Sequence, residues 1–160
     1  MMTGEAVLLH DEEARRGRTL FVVDDDPAIR RALARLARAV GYGAETFGSA
    51  EEFLADPPPM RDRPGCILLD VSLPGLSGPQ LHQRLRHDGW DVPVIYVTAH
   101  DDPATRAAIG DTDAAATFAK PIEVAALLDM IGELFERLER SRETPSVETP
   151  GLGPDFDGVI

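Results

Sequence analysis

Between residues 19 and 140 the chain alternates five times between a short apolar run and a segment whose apolar residues recur at helical spacing. That alternation restricts the fold more than any single residue does, because strands separated by helices pair in parallel and are covered on both faces. The runs are Thr19 to Val23, Ala44 to Phe47, Cys66 to Leu69, Val94 to Val97 and about Thr117 to Ala119. The unbroken run Cys66-Ile67-Leu68-Leu69 suits the centre of such a sheet. The expected class is therefore α/β, a doubly wound parallel five-stranded sheet built from five βα units.

The helical segments carry their own punctuation. Asp26 before Pro27 reads as an N-cap with proline at the first helical position, and Ile29, Leu33, Leu36, Ala37 and Val40 form one apolar face that stops near Gly41. Ser49-Ala50-Glu51-Glu52 has the spacing of a capping box for a brief second helix, ended by Pro57-Pro58-Pro59. A third helix is expected over Pro79 to His87, with Leu81 and Leu85 inward and Ser77 near its start. The fourth, Pro103 to Ile109, is rich in alanine and poor in large apolar anchors, so it should pack weakly and be the element that moves. The last, Glu123 to Arg140, bears a stripe of Val124, Leu127, Leu128, Ile131, Leu134, Phe135 and Leu138, a pattern that ordinarily faces a core.

At 160 residues with 43% hydrophobic content, one well-packed domain is the natural size. Residues 1–17 mix both charges around the short patch Ala6 to Leu9 and read as a flexible leader; residues 18–141 hold the globular domain. Residues 142–160, acidic and rich in Pro and Gly, read as a disordered tail, with Phe156, Val159 and Ile160 leaving a docking peptide open. A net charge of −12 argues against a nucleic-acid partner, since that binding relies on Lys and Arg releasing counterions. The single cysteine, Cys66, cannot close an internal disulfide and suits a small buried strand position in a cytoplasmic protein. Nothing approaches the roughly 20 apolar residues of a membrane span, and the start lacks signal-peptide character.

What sits at the ends of the apolar runs is chemical. Asp24-Asp25 follow the first, Asp70 the third, Thr98 the fourth and Lys120 the fifth. Ligands of open α/β sheets bind just outside the carboxyl ends of the strands, so these residues should face one crevice. Taken singly each has an ordinary reading: Asp as a loop or cap residue, Lys120 as a solvated lysine, Thr98 as a strand-end hydroxyl. Jointly they suggest a magnesium-assisted phosphoryl acceptor. Mg²⁺ takes one or two carboxylates with a phosphate and a backbone carbonyl, and it would combine with the Lys120 ammonium to offset the three aspartates. A carboxylate can serve as nucleophile toward phosphorus. Asp70 is the candidate because it ends the central run; the turn after it can aim the Ser72 carbonyl at the metal, and Thr98 and Lys120 suit two phosphoryl oxygens. Asp26 is assigned to capping alone.

The segments FVVDDDPAIRRAL, CILLDVSLPGLSG, PVIYVTAHDD and FAKPI, with SAEEFL, resemble the receiver domain of bacterial two-component response regulators, a CheY-like superfamily, and within it the FixJ-like branch. The resemblance covers roughly residues 18 to 141. It implies a (βα)5 flavodoxin-like fold with strand order 2-1-3-4-5. It further implies that Asp70 takes phosphate from a sensor histidine kinase, that Asp24, Asp25, Asp70 and the Ser72 carbonyl hold Mg²⁺, and that Thr98 and Lys120 read the phosphoryl group. On that reading the chain is no enzyme beyond its own phosphorylation and dephosphorylation, and a cis Lys120-Pro121 bond is expected.

Two departures matter. Many receivers place Tyr or Phe three residues before the lysine; here that position is Thr117, and strand alternation turns Phe118 to the other face. No helix-turn-helix output module can be encoded in residues 143–160, so the chain reads as a stand-alone regulator signalling through the helix 4–strand 5–helix 5 face to an unknown downstream protein, with homodimerisation left open. The alternatives are a phosphorelay intermediate passing phosphate to a histidine phosphotransfer protein, an aspartate-nucleophile phosphatase resembling haloacid dehalogenases, and a binding module without phosphate chemistry. The phosphatase family wants a second acid two residues after the nucleophile, where Ser72 stands. His100 lies near the phosphoryl position but equally suits a solvated loop, His82 and His87 do not share a helix face well, and Trp90 is expected to pack across a loop.

Overall fold

The computed structural model describes residues 17–58 and 65–143. The leader and tail expected from composition therefore lie almost wholly outside the described residues. Five strands, β1 (Thr19–Val23), β2 (Gly43–Phe47), β3 (Gly65–Asp70), β4 (Val94–Thr98) and β5 (Ala116–Ala119), alternate with helices α1 (Pro27–Ala39), α2 (Ala50–Ala55), α3 (Gly78–His87), α4 (Pro103–Gly110) and α5 (Val124–Glu143). All strand pairs are parallel and the order is β2-β1-β3-β4-β5, the expected (βα)5 flavodoxin-like sheet.

Side-chain alternation divides the interior into two layers. Phe21, Val23, Ile67, Leu69, Val94 and Tyr96 face α2 and α3, meeting Phe53, Leu81 and Leu85. Leu20, Val22, Cys66, Leu68 and Ile95 face α1 and α5, meeting Leu33, Ala37, Leu127, Ile131 and Phe135. Burying one such Leu, Ile or Phe contributes about 1.5–3 kcal/mol, so each layer is anchored by large side chains rather than by caps. Cys66 is fully buried in strand β3, and burial pushes its thiol up to about 12.

Local signals behave as physics requires, with two corrections. Asp26 caps α1 through Ala28 N–H, and Pro27 occupies the first turn. The expected capping box at α2 is only half made: Ser49 Oγ accepts from Glu52 N–H, but the Glu52 carboxylate reaches Gly48 N–H instead of returning to Ser49. The reciprocal box is on α3, between Ser77 and Gln80. On α5 the stripe holds from Leu127 onward, whereas Val124, the first residue of the helix, is 46% exposed. Helix α4 buries none of its residues, in keeping with its alanine-rich sequence. Trp90 packs half-buried near Phe53, with ring centroids 6.2 Å apart. Among the described residues, no helix is long and apolar enough to cross a membrane.

Candidate functional site

Strand register brings the polar residues together. Val23 pairs with Leu69, so Asp24, the next residue, is level with Asp70. Asp70 pairs with Val97 and Thr98 with Ala119, which puts Thr98 one step and Lys120 two steps beyond Asp70 on the same edge. The level is held by backbone bonds past the strand ends: Asp24 N–H donates to Phe47 O at 3.1 Å and Lys120 N–H to Thr98 O at 2.8 Å. The Lys120-Pro121 peptide is cis, as expected.

Asp24, Asp25 and Asp70 each offer a carboxylate oxygen, and the three oxygens lie within 4.8 Å of one another. Asp24 and Asp70 are only 2% and 6% exposed, while Asp25 is open to solvent. The Lys120 ammonium bridges the buried pair, 2.8 Å from Asp24 Oδ2 and 3.5 Å from Asp70 Oδ2. Each carboxylate keeps its other oxygen on a backbone donor: Asp26 N–H on Asp24 Oδ1 at 2.9 Å and Ser72 N–H on Asp70 Oδ1 at 3.1 Å.

Electrostatics single out Asp70. Burial, together with the charge of Asp24, holds its carboxyl above the usual aspartate range, and the Lys120 ammonium and the Ser72 N–H offset this only in part. Burial works against the charge on Lys120, but its hydrogen bond to Asp24 and the charge of Asp70 outweigh that and hold the ammonium above its ordinary value. Three carboxylates against one ammonium leave the cluster short of positive charge. A hard divalent cation with oxygen ligands fits that donor set, which has no sulfur and no imidazole.

Thr98 is the member that the structure does not bring onto the carboxylates. Its hydroxyl accepts from His100 N–H and donates to His100 O, both at 3.0 Å, so it is spent on its own loop. Alternation explains this. Asp70 shares its parity with Cys66 and Leu68, while Thr98 shares its own with Val94 and Tyr96, in the opposite layer. Thr117 is exposed and Phe118 packs in the α1/α5 layer, so an aromatic ring does not accompany Thr98 from β5.

Three contributors escaped the sequence reading. Arg30 of α1 donates from Nη1 to Asp24 O at 2.6 Å, fixing the loop that carries the acidic pair. Glu51 of α2 accepts from Leu76 N–H at 2.8 Å, and that bond holds its carboxyl below the usual range while it pins the loop after Asp70. Gly78 opens α3 so close to the site that a Cβ there would stand 2.3 Å from Asp70 O. Only the glycine had a local signal, at the first turn of a proline-marked helix.

A five-stranded parallel sheet of this order, with an acidic triad and a bridging lysine on its carboxyl edge, agrees with the comparisons to known proteins. The response regulator receiver domain model matches residues 20–132, and the chain belongs to that family. Among curated relatives it is 37% identical over 131 residues to Nodulation protein W of Bradyrhizobium diazoefficiens, covering 82% of this chain and 57% of the relative. Among solved structures, response regulator StyR superposes with a TM-score of 0.66 at 36% identity, covering 79% of this chain and 65% of that one. The FixJ-N structure has a TM-score of 0.66 at 28% identity, covering 74% and 94%. The chain thus spans little more than half the length of the curated relative.

Proposed function

We propose that Asp70 is the phosphoryl acceptor of a signalling receiver, phosphorylated by a histidine kinase with Mg²⁺ held by Asp24, Asp25, Asp70 and the Ser72 carbonyl. The observation that carries this reading is the Lys120 ammonium lying between Asp24 and Asp70 while three carboxylate oxygens gather within 4.8 Å. Bound Mg²⁺ supplies charge neutralisation, screening the incoming phosphoryl oxygens from the aspartates.

An Asp70 carboxylate oxygen attacks phosphorus, the phosphorus–nitrogen bond of the phosphohistidine breaks, and its electron pair returns to the imidazole, leaving an acyl phosphate. Such transfer depends on positioning and charge more than on covalent help from the protein. Ser72 N–H fixes one Asp70 oxygen, so the other, nearer Lys120, is the attacking atom. Lys120 then takes one phosphoryl oxygen, and Thr98, released from His100, takes another. The resulting population shift is read on the face formed by α4, β5 and α5, because α4 buries no residue and resists displacement least.

Incubation with a small-molecule phosphodonor and Mg²⁺ tests this. A mass gain of one phosphoryl group, lost in Asp70→Asn and after chelation, is the expected result; an unmodified chain, or an Asp70→Asn protein that still gains the group, overturns it. Sustained turnover of a phosphate ester would instead favour the phosphatase reading. Onward transfer to a histidine phosphotransfer protein would make the chain a relay. The kinase, the downstream protein, the cytoplasmic setting and the absence of a nucleic-acid partner are part of the same proposal, and they rest on the family and on the charge of −12.

A further inference from the structure

A buried polar chain on the far side of β4 takes no part in the chemistry above. His82 of α3 is 2% exposed, and its Nδ1 lies 2.9 Å from the hydroxyl of Tyr96, itself fully buried in β4. Thr112, in the loop after α4, donates its Oγ–H to Ile109 O at 2.6 Å, in the last turn of that helix. The other ring nitrogen, His82 Nε2, stands 3.0 Å from Asp113 Oδ1 but out of line for a hydrogen bond, which leaves it a buried polar atom without a partner. Asp113 is held from α3 by the Arg86 guanidinium, which also reaches Asp91 at 3.2 Å. A cavity of about 380 Å³ separates α3 from this loop, lined by His82, Gln83, Arg86, Asp111, Thr112 and Asp113.

The chemistry of the pocket argues against a metal, because the carboxylate that His82 faces is already neutralised by Arg86. It argues for a mechanical role. Among the residues of α4 only the half-buried Ile109 packs on the apolar core, with Ala114 beyond its end, so the contacts of Asp113 with His82 and Arg86, beside the Ala115 N–H bond to Val94 O at 2.8 Å, help to hold that end of α4 to the rest of the fold. Burial keeps Tyr96 protonated, pushing it up to about 12, and holds His82 below its usual range, with Asp113 opposing; the ring is a neutral one-donor group near pH 7. With Tyr96 donating to Nδ1, the Nε2–H has a carboxylate oxygen within reach, and a small loop movement would align the two.

Tyr96 is two residues before Thr98 on the same strand and the same face, so displacement of Thr98 is passed to the ring that grips His82. We propose that His82 and Tyr96 are positioning residues that tie the Thr98 end of β4 to the loop after α4, so that a phosphoryl group on Asp70 is sensed at the His82 ring. This inference rests on the acceptor reading of Asp70.

The test uses the full chain with Mg²⁺ and beryllium trifluoride as the phosphoryl mimic, following bound fluoride by ¹⁹F NMR and the His82 ring by ¹H–¹⁵N NMR. In the wild type the His82 ring signals move when the mimic binds, and amide protection over residues 103–112 changes at least threefold. Tyr96→Phe still binds the mimic, but its His82 signals stay put. Should Tyr96→Phe fail to fold, Asp113→Asn, at an exposed carboxylate, is the substitute and is expected to abolish the change at residues 103–112 while binding persists. Bound fluoride with unmoved His82 signals, or a variant with the full wild-type response, overturns this inference alone. Absence of bound fluoride on the wild type overturns the acceptor reading and this inference with it.

Discussion

Asp70 sits where its own charge is unwelcome. Its carboxyl is held high by burial and by Asp24, so in the metal-free protein the ionised form weakens the fold. The sign follows: its favourable contribution is complete below the ordinary aspartate range, about 3.9, and is lost as pH rises through the elevated folded value. Asp70→Asn should therefore stabilise the metal-free chain at neutral pH, on the order of 1 kcal/mol, and flatten the stability slope between those two values. Urea melts in chelator across that range check both. Lys120→Met is the opposite case. It strips the cation from Asp24 and Asp70, and roughly 1–3 kcal/mol of metal-free stability should go with it. Calorimetric Mg²⁺ titration should show tighter binding, since the metal then has the carboxylates to itself. Unchanged affinity would mean that Lys120 and the metal do not share the cluster.

At the scale of elements, α3 and α5 make contrasting predictions. Gly78 lets α3 begin against the Asp70 carbonyl; Gly78→Ala puts a Cβ 2.3 Å from backbone that cannot yield. A loss of about 3 kcal/mol or more is expected, above the usual range for overpacking, with weakened Mg²⁺ binding because the same shift displaces Asp70. Phe135→Ala, in the fully buried middle of α5, should cost about 3–5 kcal/mol and leave Mg²⁺ affinity unaltered in protein that remains folded. Elements were legible where one segment carries its own signal, as with the Asp26-Pro27 start of α1 or the Leu127 to Phe135 stripe. They were illegible where the partner is distant in the chain. His82 follows Leu81 and precedes Leu85 on the buried face of α3, yet only the fold shows that Tyr96 waits there. Glu51 looks like an ordinary first-turn acid until α2 meets the loop at Leu76. Val124 continues its stripe in sequence but stands exposed at the first position of the helix.

For the whole molecule, the gathering of Asp24, Asp25, Asp70 and Lys120 was readable because apolar runs announce strand ends and parallel order puts those ends on one edge. Their facing was not, since parity about the sheet depends on register. Register gives Asp24, Asp70 and Lys120 the parity of the layer beneath α1 and α5, and Thr98 the parity of the layer beneath α2 and α3. A small anion gripped from Asp70 and Thr98 together would therefore act as a rivet driven through the sheet, fastening its two halves. Loading such a rivet should make the halves come apart as one, so that amides in α1 and α3 exchange at converging rates and the melting transition sharpens.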